Sequence, residues 1–137
     1  MTNGGKKIEA QGPDEKLVLD FLAVTNQRDL EGLMKFFRED SVWHNMPVAP
    51  VSGLAGIRAV MAELVSAFTT IHLETLSIAS RSGVVFTERV DHFRTAGGRA
   101  IDLPVAGTFV VEQGKIKLWR DYFDLATWEA QSGIKLA

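Results

Sequence analysis

Two short segments, residues 87–91 and 119–123, carry ionisable side chains on predicted strand faces that also carry large apolar ones. In a β-strand, residues i and i+2 share a face and lie about 6.6–6.8 Å apart. Arg89 and Asp91 therefore point to one side of the first strand, and Asp121 points to one side of the second. An arginine between two carboxylates can donate hydrogen bonds to both. These residue types at this spacing indicate a site for acid–base chemistry.

The protonation state of Arg89, Asp91 and Asp121 follows from the cost of burying charge. If both carboxylates ionise, the three groups together carry a net negative charge, whereas one retained proton makes them neutral. Exclusion of water from the pocket favours the neutral state. The site then holds a base and an acid at the same pH, and the two carboxylates titrate as a pair. This combination suits reactions in which one proton is given and another is taken. Opening of an epoxide by water is one of them, because the ring oxygen gains a proton and the water loses one.

A third element should hold the water, and Trp43 and Asn45 are the candidates because they share a strand face. The Asn45 amide oxygen can accept a hydrogen bond from water, and the Trp43 indole N–H can donate one. Ordinary structural roles remain open for the same residue types. Arg89 and Asp91 could form a solvated salt bridge, Asn45 could simply form a turn, and the aromatic residues could be plain core.

Composition narrows the possible functions. The chain has 137 residues, of which 46% are hydrophobic and 23% charged, as expected for one globular domain. A net charge of −2 without a basic run argues against a nucleic-acid surface. No apolar segment approaches the roughly 18 residues of a membrane span. Residues 1–11 lack the apolar stretch of a signal peptide and the chain has no cysteine, so the protein is expected in the cytoplasm.

Patterns for metals and cofactors are missing from the sequence. His44, His72 and His92 have no metal-ligand spacing, so no metal site is predicted. The chain carries no phosphate-binding loop, dinucleotide fingerprint or Ser-His-Asp elbow, and no cofactor is expected.

Helical periodicity comes first along the chain and strand periodicity follows, which predicts an α+β domain. Residues 1–11 are predicted to be a flexible tail and residues 12–137 a single domain. Helices are predicted from residue 13, from 30 to 37 with Asp29 as cap, and from 54 to 68 with Ser52 as cap. Strands are predicted at residues 41–46, 71–80, 84–94, 99–111 and 115–123, the last four as an antiparallel meander. Pro104 indicates an edge or a bulge, and Asp124 should cap a closing helical turn.

Four segments together resemble the limonene-1,2-epoxide hydrolase family over about residues 14–131. They are residues 44–47 (HNMP), 87–91 (TERVD), 107–109 (GTF) and 114–125, which ends in WRDYFDL. The resemblance implies the cone-shaped α+β fold of the nuclear-transport-factor-2-like superfamily, with a curved mixed sheet and helices enclosing an internal pocket, usually as a homodimer. It also implies one-step hydrolysis of an apolar, cyclic or terpene-like epoxide to a vicinal diol, without cofactor or covalent intermediate.

The family pattern implies roles for individual residues. Asp91 would be the general acid, Asp121 the general base and Arg89 the bridge, with Asn45 positioning the water. The residues that would line the substrate pocket are Phe93, Leu103, Val105 and Phe123.

Trp43 departs from the family pattern, which has a tyrosine at this position to hold the same water. An indole can donate to the water but cannot accept from it. Because the water can still donate to Asp121 and Asn45, we expect retained activity with an altered rate or regioselectivity.

The sequence is also compatible with two other classes of function. One is an isomerase or cyclase on the same fold, of the ketosteroid-isomerase type. In that reading Asp121 would act as base beside a protonated Asp91. The other is a non-catalytic module for small-molecule binding or dimerisation.

Overall fold

The computed structural model describes residues 7–136, which form four helices and six strands. In chain order these are α1 Pro13–Asn26, α2 Leu30–Met34, β1 Phe37–Asn45, β2 Val51–Ser52, α3 Leu54–Ala67, β3 Thr70–Arg81, β4 Val84–Arg94, β5 Ala100–Glu112, β6 Lys115–Tyr122 and α4 Leu125–Ser132. Within the predicted tail, residues 1–6 lie outside the described part of the chain, and residues 7–11 belong to neither helix nor strand.

One curved sheet has the strand order β2-β1-β6-β5-β4-β3. β3 to β6 are antiparallel neighbours, as the predicted meander requires, whereas β1 runs parallel to β6. The predicted α+β class with a mixed sheet is therefore confirmed. The sheet has six strands rather than about five, because Val51 and Ser52 pair with β1. Two residues are too short a run to leave an alternating pattern in the sequence.

The helix starts follow local chemistry. Pro13 opens α1 with two acidic residues in its first turn, which suits the positive end of the helix dipole. Asp29 caps α2, since its carboxylate accepts from the backbone N–H of Gly32 at 3.0 Å. Asp124 caps α4 in the same way through Thr127, as predicted.

The predicted end of α2 at Phe37 is wrong. α2 stops at Met34, and the Phe36 carbonyl accepts from the backbone N–H of Ile116 at 2.7 Å. Phe37 begins β1 opposite Ile116, so β1 starts four residues earlier than expected. Both phenylalanines still reach the core, with ring centroids 5.5 and 5.4 Å from that of Phe21. Strand pairing thus outweighs the helical spacing of the apolar residues.

The predicted cap of α3 is also wrong. Ser52 pairs with Val42 inside the sheet, and Gly53 precedes the helix at φ +88° without a side-chain cap. The prediction for Pro104 is confirmed. At Pro104, β5 has β4 on one side only, because its pairing with β6 begins at Ala106.

Alternation along β4 separates the two sheet faces. Its odd-numbered residues from Val85 to Phe93 are buried, whereas Phe86 on the other face is 50% exposed. The helices pack on the buried face, where Phe21 of α1 meets Trp119 edge-on at 5.0 Å. Arg89 and Asp91 therefore point inward under the helices, as the i, i+2 spacing predicted.

Candidate active site

Arg89 joins the two carboxylates directly. Its Nε donates to Asp91 Oδ1 at 3.0 Å and its Nη2 to Asp91 Oδ2 at 2.9 Å. Nη2 also donates to Asp121 Oδ2 at 2.8 Å, and Nη1 donates to Asp121 Oδ1 at 3.2 Å and to Thr87 Oγ1 at 3.1 Å. These bonds use all five N–H groups of the guanidinium. Because the Arg89 side chain is fully buried, this is an internal network and not a solvated salt bridge.

Gly107 on the intervening strand makes the network possible. Thr87, Gly107 and Asp121 lie side by side on β4, β5 and β6. A Cβ atom at Gly107 would lie 2.3 Å from Arg89 Nη1. The guanidinium can reach from β4 to β6 only because residue 107 has no side chain.

Burial and charge act on the three groups in opposite directions. Burial lowers the pKa of Arg89, but the charges of Asp121 and Asp91 more than offset this, so the pKa is raised and the guanidinium stays protonated. Burial raises the pKa of Asp121, and the nearby charge of Arg89 opposes that shift without cancelling it. A raised carboxyl pKa lies closer to neutral pH, where a general base is most effective.

The parallel β1–β6 pairing brings the predicted water-holding residues to the base. Asn45 is the register partner of Asp121, and Trp43 is the register partner of Trp119. Trp43 Nε1 is buried and has no hydrogen-bond partner among the described residues. Because Trp43 and Asp121 line the same cavity, this unpartnered donor suits a water molecule held there.

A cavity of about 230 Å³ opens above the carboxylates. Asp91, Asp121, Asn45 and Trp43 all line it. The residues predicted for the substrate pocket line it too: Phe93, Leu103, Val105 and Phe123. The sequence-predicted side chains therefore converge on one cavity, although their chemical roles stay predictions.

Sequence reasoning missed the contact between Trp119 and Asp121. The Trp119 Nε1–H donates to Asp121 Oδ1 at 2.7 Å, and the indole stacks on that of Trp43 with centroids 4.6 Å apart and planes 3° apart. The signal was present, since Trp119 and Asp121 are an i, i+2 pair on one face of β6. Thr87, which supports the guanidinium, was missed in the same way.

Other features of the described residues bear on cofactors and membranes. Residues 7–136 contain no group of three or more His, Cys, Asp or Glu side chains placed to hold a metal ion. Within the same range, every helix is too short or too polar to cross a bilayer.

His92 lies on the outer sheet face between two carboxylates. Its Nδ1 is 2.7 Å from Asp102 Oδ1, and its Nε2 is 2.9 Å from Glu74 Oε1.

The chain is similar in sequence to known epoxide hydrolases. The family model for the limonene-1,2-epoxide hydrolase catalytic domain matches residues 13–132. The epoxide hydrolase EphG of Mycobacterium tuberculosis is 28% identical over 106 residues, which cover 77% of this chain and 69% of that protein.

Solved structures share the fold at lower identity. The structure of a limonene-epoxide-hydrolase-like epoxide hydrolase from M. tuberculosis superposes with a TM-score of 0.78 at 22% identity, covering 87% of this chain and 89% of that one. A protein from Xanthomonas campestris described as a polyketide cyclase superposes with a TM-score of 0.78 at 21% identity, covering 88% of this chain and 96% of that one. A protein from Catenulispora acidiphila with a ketosteroid-isomerase-like fold gives 0.76 at 20% identity, with 87% and 93% coverage.

Proposed function

We propose that this chain, which belongs to the limonene-1,2-epoxide hydrolase family, hydrolyses an apolar epoxide to a vicinal diol by direct attack of water. The observation that carries the proposal is the Arg89 fork. It holds Asp91 and Asp121 together at one end of an apolar cavity. One carboxylate can therefore give a proton while the other takes one.

In this mechanism Asp91 holds the proton of the pair and delivers it to the epoxide oxygen as the C–O bond breaks. Asp121 accepts a proton from the water as the water oxygen attacks a ring carbon. One proton leaves the triad and another arrives, so its net charge does not change, and Arg89 balances the shifting charge between its two partners. Transfer of the proton from Asp121 back to Asp91 restores the starting state.

The attacking water would be held by three groups. It donates to Asp121 and to the Asn45 amide oxygen and accepts from the Trp43 N–H. One lone pair of the water remains for attack. The free Trp43 Nε1 and the Asn45–Asp121 register support this arrangement.

The substrate class follows from the cavity. Its volume of about 230 Å³ and its walls of Phe93, Leu103, Val105 and Phe123 suit a cyclic or terpene-like epoxide. No polar side chain among these four would bind a second functional group of the substrate.

Single-turnover hydrolysis in ¹⁸O-labelled water tests the mechanism. A panel of cyclic and aryl epoxides identifies a substrate, and enzyme in excess then converts it once. Label is expected in the diol and not in the protein. Label in the carboxylate of Asp91 or Asp121 would show a covalent intermediate and contradict direct attack.

An isomerase or cyclase reaction is the second candidate, because structural neighbours include proteins of those kinds. Asp121 as base beside a protonated Asp91 could serve such chemistry. Arg89 argues against it, since it ties both carboxylates into one water-activating pair. Deuterium exchange into a ketone substrate without diol formation would favour this candidate. Binding of epoxides without turnover at any pH would favour a non-catalytic role.

We also propose a homodimer that packs through the outer sheet face. Phe86 and Tyr122 are 50% and 45% exposed there, on a face that they share with Ala106. Glu88 and Arg120 on the same face carry opposite charges, so two copies related by a two-fold axis could pair them across the interface. Light scattering should give a molar mass of two chains for the wild-type protein and of one chain for Phe86→Glu. Cytoplasmic location and independence from cofactors stay predictions.

A further inference from the structure

We propose that Trp119 is a positioning residue for the base, holding Asp121 in its working orientation through the indole N–H. The inference rests on the proposed function, because it assigns a role within the same site. Trp119 Nε1 lies 2.7 Å from Asp121 Oδ1, and both side chains are buried. Hydrogen bonds from a donor to an ionised carboxylate are stronger than those between neutral groups.

The hydrogen bond is specific to this tryptophan. The chain has three tryptophans, and the Nε1 atoms of Trp43 and Trp128 are buried without a partner among the described residues. Packing of an indole in this core therefore does not by itself give its N–H an acceptor. Of the three tryptophans, Trp119 alone donates its indole N–H to one of the two site carboxylates.

The contact also distinguishes the two carboxylates from each other. Arg89 donates to both oxygens of Asp91 and to both oxygens of Asp121. Trp119 adds a further donor to Asp121 alone. The extra hydrogen bond favours the ionised form of Asp121 over its protonated form. This supplies a physical reason for Asp121 to act as the base.

Aromatic contacts lock the indole in place. Trp119 is stacked between Trp43, at 4.6 Å, and Phe109, at 5.6 Å, its register partners on β1 and β5. Phe21 closes the edge at 5.0 Å. The donor thus points at Asp121 without the freedom to rotate away. The same stack links the indole of the water-holding Trp43 to that of the base-holding Trp119.

Removal of the N–H should be visible in the titration of the base. Burial raises the pKa of Asp121, and the hydrogen bond from Trp119 is among the contributions that lower it. The charged groups facing Asp121 are Arg89 and Asp91 on β4, and Glu63 of α3 lines the same cavity from an exposed position. None of these changes in Trp119→Phe, so the pKa of Asp121 should rise.

Trp119→Phe is the test variant. Trp128→Phe is the control, because it removes an indole that lines the same cavity but whose N–H has no acceptor among the described residues. With an epoxide substrate, Trp119→Phe should lower kcat on the order of 10- to 100-fold with a smaller change in KM. The acidic limb of its pH–rate profile should move up by about one pH unit. In Trp128→Phe the limb should stay at the wild-type position.

Carbon-13 NMR of the Asp121 carboxyl, assigned with Asp121→Asn, follows the titration without any substrate. An upward shift of the midpoint in Trp119→Phe alone supports the proposal, even if no epoxide is turned over and the proposed function fails. An unchanged midpoint overturns it. If Trp119→Phe does not fold, benzothienylalanine at position 119 keeps the indole shape without the N–H, and the same two outcomes decide.

Discussion

Gly107 of β5 lies directly opposite Asp121 of β6, and the Arg89 guanidinium occupies the space where a side chain at position 107 would be. A Cβ atom there would come within 2.3 Å of Arg89 Nη1, 2.7 Å of Asp121 Oδ1 and 2.9 Å of Thr87 Oγ1. The acid–base pair thus depends on a residue that takes no part in the chemistry.

Gly107→Ala should therefore lower kcat on the order of 10²-fold, because the triad must shift to admit a methyl group. Overpacking should also destabilise the fold by about 1–3 kcal/mol. Gly97→Ala is the control, since its Cβ would meet only Thr95 Oγ1 at 3.9 Å. Steady-state kinetics and urea unfolding check both effects, and wild-type values for Gly107→Ala would contradict the tight packing.

Asp91→Asn and Asp121→Asn should each lower kcat on the order of 10²–10⁴-fold, because each removes one partner of the proton exchange. Asp102→Asn is the matched control, as this carboxylate lies on the outer face beside His92. Turnover of the selected epoxide measures the effect. If either site variant keeps near-wild-type kcat, its assigned role is wrong.

Arg89→Met should destabilise the protein by about 3–5 kcal/mol, because two buried carboxylates lose their cation. Loss of Arg89 also raises the pKa of Asp121 further, since that guanidinium opposes the effect of burial. A raised carboxyl pKa means that stability falls as pH rises through it. Urea unfolding should therefore show a larger deficit at pH 8 than at pH 5.

Arg94→Met is the control for the loss of an arginine. Arg94 is partly exposed and bonds Asp102 at the surface, so its removal should cost less than about 1 kcal/mol. A deficit for Arg89→Met that is equal at both pH values would mean that the two carboxylates are not the source of the instability.

Trp43→Tyr should keep turnover but change its rate or the regiochemistry of the diol, because a phenol both donates and accepts where the indole only donates. Trp43→Phe removes the donor altogether and should be slower than either. Chiral chromatography of the diol from an unsymmetrical epoxide measures the outcome. Identical rate and product ratio in Trp43→Tyr would mean that the indole has no special effect.

His92→Gln should destabilise the protein at pH 6 and not at pH 9. Burial lowers the pKa of His92, but hydrogen bonds to Asp102 and Glu74 more than offset this and raise it. A raised histidine pKa stabilises the fold below about pH 6.5, and this contribution is lost as pH rises through the folded value. His72 stacks on the ring and Arg94 bonds Asp102 nearby.

The expected loss at pH 6 is below about 1 kcal/mol, because the pair is partly exposed and screened by solvent. Thermal or urea unfolding of both proteins at the two pH values measures it. A deficit of equal size at pH 6 and pH 9 would rule out the charged histidine as its cause.

Local patterns predicted most of the meander. β4 has the predicted bounds, β3 and β5 differ from theirs by one residue at each end, and β6 ends one residue earlier than predicted. The strand faces of Arg89, Asp91 and Asp121 were correct because alternation depends only on neighbours along the chain. α2 was predicted too long, because Phe36 and Phe37 keep a helical spacing that β6 overrides by pairing.

Contacts across the fold were harder to predict from residue order. The family resemblance implied a mixed sheet but not which strands run parallel, and nothing local in the sequence specifies the β1–β6 pairing. The bond from Trp119 to Asp121 depends on the rotamer of an indole packed between two other rings. Rotamers of this kind are fixed by tertiary packing and leave no periodic signal.

The same β1–β6 pairing predicts an order in which the site assembles as the chain folds. Each of the three hairpins that join β3 to β6 is closed by a short turn, whereas Ser41 Oγ of β1 reaches the Ile116 carbonyl across 75 positions. Closing that long loop carries the larger entropy cost. Asp91 and Asp121 thus lie on strands joined by short hairpins, which are expected to pair early. The water site at Trp43 and Asn45 forms only when β1 pairs with β6, the contact of the sheet that spans the longest stretch of chain.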